Sequence, residues 1–191
     1  AVKITVKKKD SGNGTTTHAG NASLAGAVYR VYYLQNGTTV YKDITTSSNG
    51  VAIIKDVPLG EIKIQEISAP VGYKLDSTVH TYNVTSDKVT SAIYEMEPED
   101  FTEDVFKGHI QITKQIEMLG ANAQLEQGAE YQVYLKSAGS YNAANDTERD
   151  YLVTGADGKS ITKALPYCTY TLHQVKGVPG REFKDMDVDV H

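Results

Sequence analysis

The chain repeats itself. Ile4, Val6 and Lys8 are answered by Ile110, Ile112 and Lys114, and LAGAVYRVY (24–32) by EQGAEYQVY (126–134). SSNG (47–50) is answered by GADG (155–158), and DVPLGEIKIQE (56–66) by ALPYCTYTLHQ (164–174). One order of elements runs twice, so the expectation is two successive domains of one plan. Their segments are short and alternate apolar with polar: VKITVK (2–7), AVYRVYYL (27–34), TTVYKDI (38–44), VAIIKDV (51–57), EIKIQEI (61–67), VHTYNV (79–84) and KVTSAIYEM (88–96). That is the period of strands with one buried face. DSGNG, QNG, SSNG, PLG and APVG separate them, and these carry the Gly, Asn and Pro chemistry of tight turns. No segment of the first half has helical period. The fold class read from this pattern is all-β, with domains at 1–98 and 105–191 and a linker at 99–104 inside the acidic, aperiodic EPEDFTED (97–104).

Composition narrows the function. The net charge is -5 and the Lys and Arg residues are scattered, which argues against a nucleic-acid partner. A single cysteine forbids an internal disulfide and a Cys-based zinc cluster. The five His, at 18, 80, 109, 173 and 191, have no HxH or HxxxH spacing, so no metal site is expected. No apolar run approaches a bilayer span, so no membrane insertion is expected in this segment. There is no P-loop, GxGxxG or GxSxG, no cofactor is expected, and the chain is not read as an enzyme. The 13 Tyr with abundant Thr, Val and Gly suit a β-rich protein with many turns.

Two residue types stand on the wrong face. At period two, Lys8 follows Ile4 and Val6, Lys114 follows Ile110 and Ile112, and Glu66 follows Ile62 and Ile64. A lysine and a glutamate facing inward can meet in the core. The alternative is a strand-end pair whose side chains snorkel to water.

The motifs IxVxK, LAGAVYRVY, SSNGVAIIKDVPLG and QEISAPVGY resemble the Cna-B, or SpaA-type, domains of Gram-positive surface adhesins and pilins. GHIQITK, QGAEYQVYL and DGKSITKALPYCTYTLHQVKGVPGREF resemble a divergent branch of the same family. The resemblance implies two tandem transthyretin-like, Ig-like Greek-key β-sandwiches. It implies a stalk or spacer module outside the cell, attached to the cell wall through an anchor elsewhere. The partners it implies are other pilin subunits or host extracellular matrix, and the alternative role is a module that binds a host protein or glycan. Many members join a lysine to an asparagine by an isopeptide bond assisted by an acid. Lys8 matches the lysine and Glu66 the acid, but the expected acceptor position holds Met96, which cannot react. Asn83 is a possible substitute, but by alternation it faces away from the core. The second copy has Lys114, with Gln174 at the acid position. No complete triad is expected in either copy, and Lys8 and Glu66 are expected to pair as ions instead. A Lys114–Gln174 cross-link is conceivable but would lack an acid.

The second copy also looks short. After QEISAP the first has VHTYNV and KVTSAIYEM, whereas the second has only FKDMDVDV (183–190) after HQVKGVPG. A missing last strand leaves an open edge. Either another segment supplies that strand or the sequence is an internal piece, as the lack of a signal peptide and of an LPxTG-type signal also leads us to expect. KSAGSYNAANDTERD (136–150) is an extra polar piece able to hold one short helix. Cys168 stands where the first copy has Gly60 and reads as a small residue replacing glycine. Its other reading is a reactive thiol or a thioester with Gln174, for which no basic neighbour is present in sequence.

Overall fold

Alternation along the first strand sets the core. Val2, Ile4 and Val6 point inward with no exposed surface, while Lys3, Thr5 and Lys7 are half-buried. The computed structural model describes residues 2–12, 22–85, 94–96, 101–116, 122–183 and 187–191. They form two compact units, Ala1–Phe106 and Lys107–His191. Among the described residues every named strand belongs to an all-β architecture, with two 3-10 turns and no α-helix.

Unit 1 contains β1 (Val2–Lys7), β2 (Lys9–Asp10), β3 (Val28–Gln35), β4 (Thr38–Thr45), β5 (Val51–Val57), β6 (Gly60–Ser68), β7 (Val79–Val84), β8 (Tyr94–Met96) and β9 (Thr102–Glu103). One antiparallel sheet runs β4-β3-β6-β7. The other runs β5-β1-β8, where β8 lies parallel to β1, and β9 continues parallel to β2. Val2, Ile4, Tyr29, Val31, Ile54, Ile62 and Ile64 fill the core. The β3–β4 connection is the expected QNG turn, with Asn36 and Gly37 both left-handed (φ 50° and 78°), as a two-residue hairpin requires.

Unit 2 contains β10 (Lys107–Gly108), β11 (Gln111–Thr113), β12 (Gln115–Ile116), β13 (Gln124–Leu125), β14 (Glu130–Leu135), β15 (Arg149–Val153), β16 (Lys159–Ile161), β17 (Leu165–Pro166), β18 (Tyr170–Lys176) and β19 (Asp187–Val190). Its large sheet is β15-β14-β18-β19, and β11 pairs with β16. Two details recur in both units. Thr46 Oγ1 donates to Leu24 O (2.6 Å) and accepts from the Ala27 N–H (2.9 Å). Thr154 Oγ1 donates to Glu126 O (2.7 Å) and accepts from the Ala129 N–H (3.0 Å). The ladder slips just before Tyr29 in one unit and just before Tyr131 in the other, so Tyr29 stands across from Glu66 and Tyr131 across from Gln174.

Three expectations differ from the structure. The short helix expected in 136–150 is two 3-10 turns, Lys136–Ala138 and Asp146–Glu148. Gly139 (φ 76°) ends the first, and Ser, Asn and Asp favour turns over helix. Residues 99–104 do not all form a linker: Thr102–Glu103 is β9, seated on β2 within unit 1. Met96 does not stand beside Lys8, because β8 pairs it with Ile4. Of the strand expected over 88–96, the structure describes Tyr94–Met96, and the rest lies outside the described residues.

Candidate functional site

The inward face of β1 continues past its last hydrogen bond. Lys8 and Asp10 follow Val2, Ile4 and Val6 into the core, on a backbone held by the Lys8 N–H donating to Gly50 O (2.9 Å). On β6, Glu66 follows Ile62 and Ile64 inward. On the last strand, Phe101, Glu103 and Val105 all point inward at period two. The three elements converge on one polar cluster in which Lys8 is 0%, Asp10 1%, Glu66 2% and Glu103 4% exposed.

Lys8 Nζ donates to Glu66 Oε1 at 3.2 Å and abuts Glu103 Oε2. That Oε2 makes no hydrogen bond, so Lys8 is its ionic partner. The other oxygen, Glu103 Oε1, accepts from the Tyr29 hydroxyl (3.1 Å), and Glu66 Oε2 accepts from the Asp76 N–H (3.3 Å). The Tyr73 ring lies 5.1 Å from the lysine nitrogen, and its hydroxyl donates to Asp10 Oδ2 (2.6 Å), while the Gly12 N–H donates to Asp10 Oδ1 (2.7 Å). Phe101 roofs the cluster, with its ring edge-on to Tyr29 (5.0 Å) and to His80 (5.1 Å). Tyr73→Phe strips one donor from a buried carboxylate and is expected to destabilise unit 1 by about 1–3 kcal/mol in chemical denaturation.

One ammonium faces several buried carboxyls, so full ionisation is costly. Burial is the main influence on Lys8 and pulls its pKa down against the attraction of Glu66. Burial likewise pushes Glu66 up against the attraction of Lys8. Both shifts favour the neutral forms, a free amine beside a protonated acid. A neutral amine is a nucleophile, and an acid hydrogen-bonded to it can carry its proton.

The other singled-out residues are elsewhere. Asn83 is exposed on β7. Lys114 and Gln174 line one cavity of unit 2, where the Gln174 amide donates to Lys176 O (3.2 Å). Cys168 is half-buried against the unit 2 core. Glu103 escaped the sequence reading although Phe101, Glu103 and Val105 already carried a strand's alternation. Of the tyrosines in YRVYYL, Tyr29 is in the core, while Tyr32 packs on Tyr41, itself stacked under Arg30 (4.1 Å). Among the described residues no group of His, Cys, Asp and Glu could hold a metal, and no helix is long and apolar enough to cross a membrane.

A family model described as "SpaA: Prealbumin-like fold domain" matches residues 2–98. The trypsin-resistant surface T6 protein of Streptococcus pyogenes serotype M6 is 32% identical over 105 residues, which is 46% of this chain and 19% of that protein. The chain thus spans about a fifth of that relative's length. Among solved structures, the Bacillus anthracis TIE protein superposes with a TM-score of 0.64 at 23% identity, covering 98% of this chain and 30% of the other. A C-terminal fragment of the pilus adhesin SpaC from Lactobacillus rhamnosus GG gives 0.51 at 18% identity, covering 98% and 81%. At these identities the two structural likenesses are of fold.

Proposed function

The chain belongs to the SpaA prealbumin-like domain family, and from that we propose that it is a load-bearing spacer of a bacterial surface protein of pilin or adhesin type, built from two tandem domains of one plan. We further propose that Lys8 and Glu103 are joined by an amide in the first domain. The observation that carries this is the lysine amine lodged between two buried carboxyls, one of them on the last strand.

The reaction is a condensation. Lys8 Nζ attacks Glu103 Cδ, the N–Cδ bond forms, and the Cδ–Oε2 bond breaks. The departing oxygen leaves as water, carrying its own proton and one from the amine. Glu66 takes the amine proton at one oxygen and returns one to the leaving hydroxyl, ending unchanged. Contact between the reacting groups supplies the orientation, and the dry core disfavours hydrolysis.

The mechanical reading follows from strand direction. β2 and β9 are parallel neighbours, so tension between the two ends of the unit shears them past each other. An amide between Lys8 and Glu103 carries that load and spares everything between them. Location outside the cell, with other pilin subunits or a host surface as partners, is part of the same proposal.

Intact mass tests it. The purified chain should be one water lighter than its sequence, and Glu103→Gln should be one ammonia lighter instead. A mass equal to the sequence sinks the cross-link. A water deficit that persists in Glu103→Ala moves the acceptor elsewhere.

A further inference from the structure

Tyr29 is wholly buried, and its hydroxyl meets the acceptor side chain. The Tyr29 O–H donates to Glu103 Oε1 (3.1 Å), whereas Lys8 abuts the other oxygen, Oε2. The two oxygens of one carboxyl therefore stand in different surroundings. Oε2 faces the amine and makes no hydrogen bond, while Oε1 already has a donor. The tyrosine is held from three sides. Its backbone pairs with Ile44 on β4 and, after the ladder slips, with Glu66 on β6. Phe101 closes over its ring edge-on at 5.0 Å. The donor is thus in place before any reaction begins. Burial, reinforced by the charges of Glu66 and Asp76, pushes the Tyr29 pKa well above the ordinary phenol value, so the hydroxyl keeps its proton to donate. A buried tyrosine needs some partner for its O–H. Here the partner is the one acceptor oxygen that the condensation leaves behind.

We propose that Tyr29 is a catalytic residue of the Lys8–Glu103 condensation, its hydroxyl being the donor that stabilises charge on Glu103 Oε1 while the amide forms. This role rests on the cross-link proposed for Lys8 and Glu103, and it names a group that lowers the barrier to it. As the Lys8 lone pair forms the N–Cδ bond, the Cδ–Oε1 π pair moves onto Oε1, which gathers negative charge. The hydrogen bond from Tyr29 then tightens, because a phenol donates more strongly to an oxyanion than to a neutral carbonyl. When the Cδ–Oε2 bond breaks, that pair returns, Oε1 becomes the amide oxygen, and Tyr29 has kept its proton throughout. Oε2 departs as water with the protons that pass through Glu66. The two residues divide the work. Glu66 moves protons at the amine and the leaving group, and Tyr29 holds charge at the oxygen that stays. A hydrogen bond that strengthens only in the transition state raises the rate and leaves the product unchanged.

The test follows the whole chain from an unreacted start. Lys8 is introduced with its amine blocked by a light-removable carbamate. Light frees the amine in denaturant, and dilution starts folding. Circular dichroism reads folding, and intact mass after acid quenching reads the loss of one water. Tyr29→Phe should fold and lose the same water, about 100-fold more slowly than the parent. Ile54 is buried across from Ile4, away from the cluster. Ile54→Val loosens the same core and should react at close to the parent rate. A chain with 3-fluorotyrosine at position 29 keeps both ring and hydroxyl, and it decides the matter where the Phe variant fails to fold. Its more acidic O–H should speed the reaction about threefold. Tyr29→Phe at the parent rate, equal slowing in Tyr29→Phe and Ile54→Val, or no gain from the fluorinated ring overturns the role of Tyr29 and leaves the cross-link standing. A parent chain that never loses water overturns the cross-link, and the role with it.

Discussion

Lys8→Ala is expected to lower the unfolding free energy of unit 1 by about 5 kcal/mol and to abolish the mass deficit. Two effects combine. An amide from Lys8 to Glu103 closes a loop of nearly the whole unit, and closing a loop of about 100 residues is worth about 4–5 kcal/mol in the chain-entropy account. Without the lysine, Glu103 stays a free carboxyl buried beside Glu66, and an uncompensated buried charge costs about 3–5 kcal/mol. The two do not simply add, because a carboxyl left alone takes up a proton. Protonation gives the variant a pH signature. Burial raises the Glu66 pKa, and the attraction of Lys8, which opposes it, is gone. The folded state then binds the proton more tightly than the unfolded one, so stability falls as pH rises. It should be highest below the ordinary Glu value of about 4.3 and decline above it until Glu66 ionises in the folded state. Glu103→Gln keeps an acceptor and should change stability far less. Denaturant titration of the unit 1 transition, with intact mass alongside, separates these outcomes. A Lys8→Ala chain within about 1 kcal/mol of the parent would mean that neither the bond nor the ion pair contributes, since exposed pairs are worth no more than this.

The sequence carried half of this site. VKITVK and EIKIQEI each put a charged residue on an apolar face, and alternation alone aims Lys8 and Glu66 inward. Their meeting is a tertiary fact that alternation does not encode, and the acceptor shows why. Residues 97–104 are so acidic that composition outweighs the period of Phe101, Glu103 and Val105. An acid on a core face is intelligible only once its lysine is known to lie across from it. Long-range register was equally hidden: β8 sets Met96 against Ile4, and nothing local in IYEM fixes that pairing.

The repeat was more legible than the cluster, because it rests on turns. Gly50 and Gly158 end matching segments, SSNG and GADG, and do the same work at the same place. Each is left-handed (φ 73° and 68°), and each gives its carbonyl to the N–H of the inward lysine. The Thr46 and Thr154 hydrogen bonds lie one turn earlier on the same pattern, in TTSSNG and VTGADG. A threonine buried to tie one loop to another leaves no periodic trace, so only the comparison of the two copies exposes it.

Gly158→Ala should be among the most damaging single-atom additions in unit 2. A Cβ there would lie 2.6 Å from Lys114 O, 3.0 Å from Leu125 Cβ and 3.2 Å from Glu126 N. The first of these is a backbone atom fixed by its own hydrogen bond to the Glu126 N–H (3.0 Å), so it cannot swing aside. The left-handed backbone costs an L residue about 1–2 kcal/mol, and forcing a methyl into a packed site costs about 1–3 kcal/mol more. Gly128→Ala isolates the first cost, because Gly128 has φ 88° but open space around its Cβ position. The two variants should therefore differ by about 1–3 kcal/mol in the unit 2 transition. Gly50→Ala should fall between them, since its nearest contact, Lys8 O, is at 2.9 Å. It should also slow amide formation, because moving the Lys8 carbonyl moves the amine from its acceptor. Equal losses in Gly158→Ala and Gly128→Ala would mean that the chain yields at Lys114, and that the edge beside the cavity is softer than this packing implies.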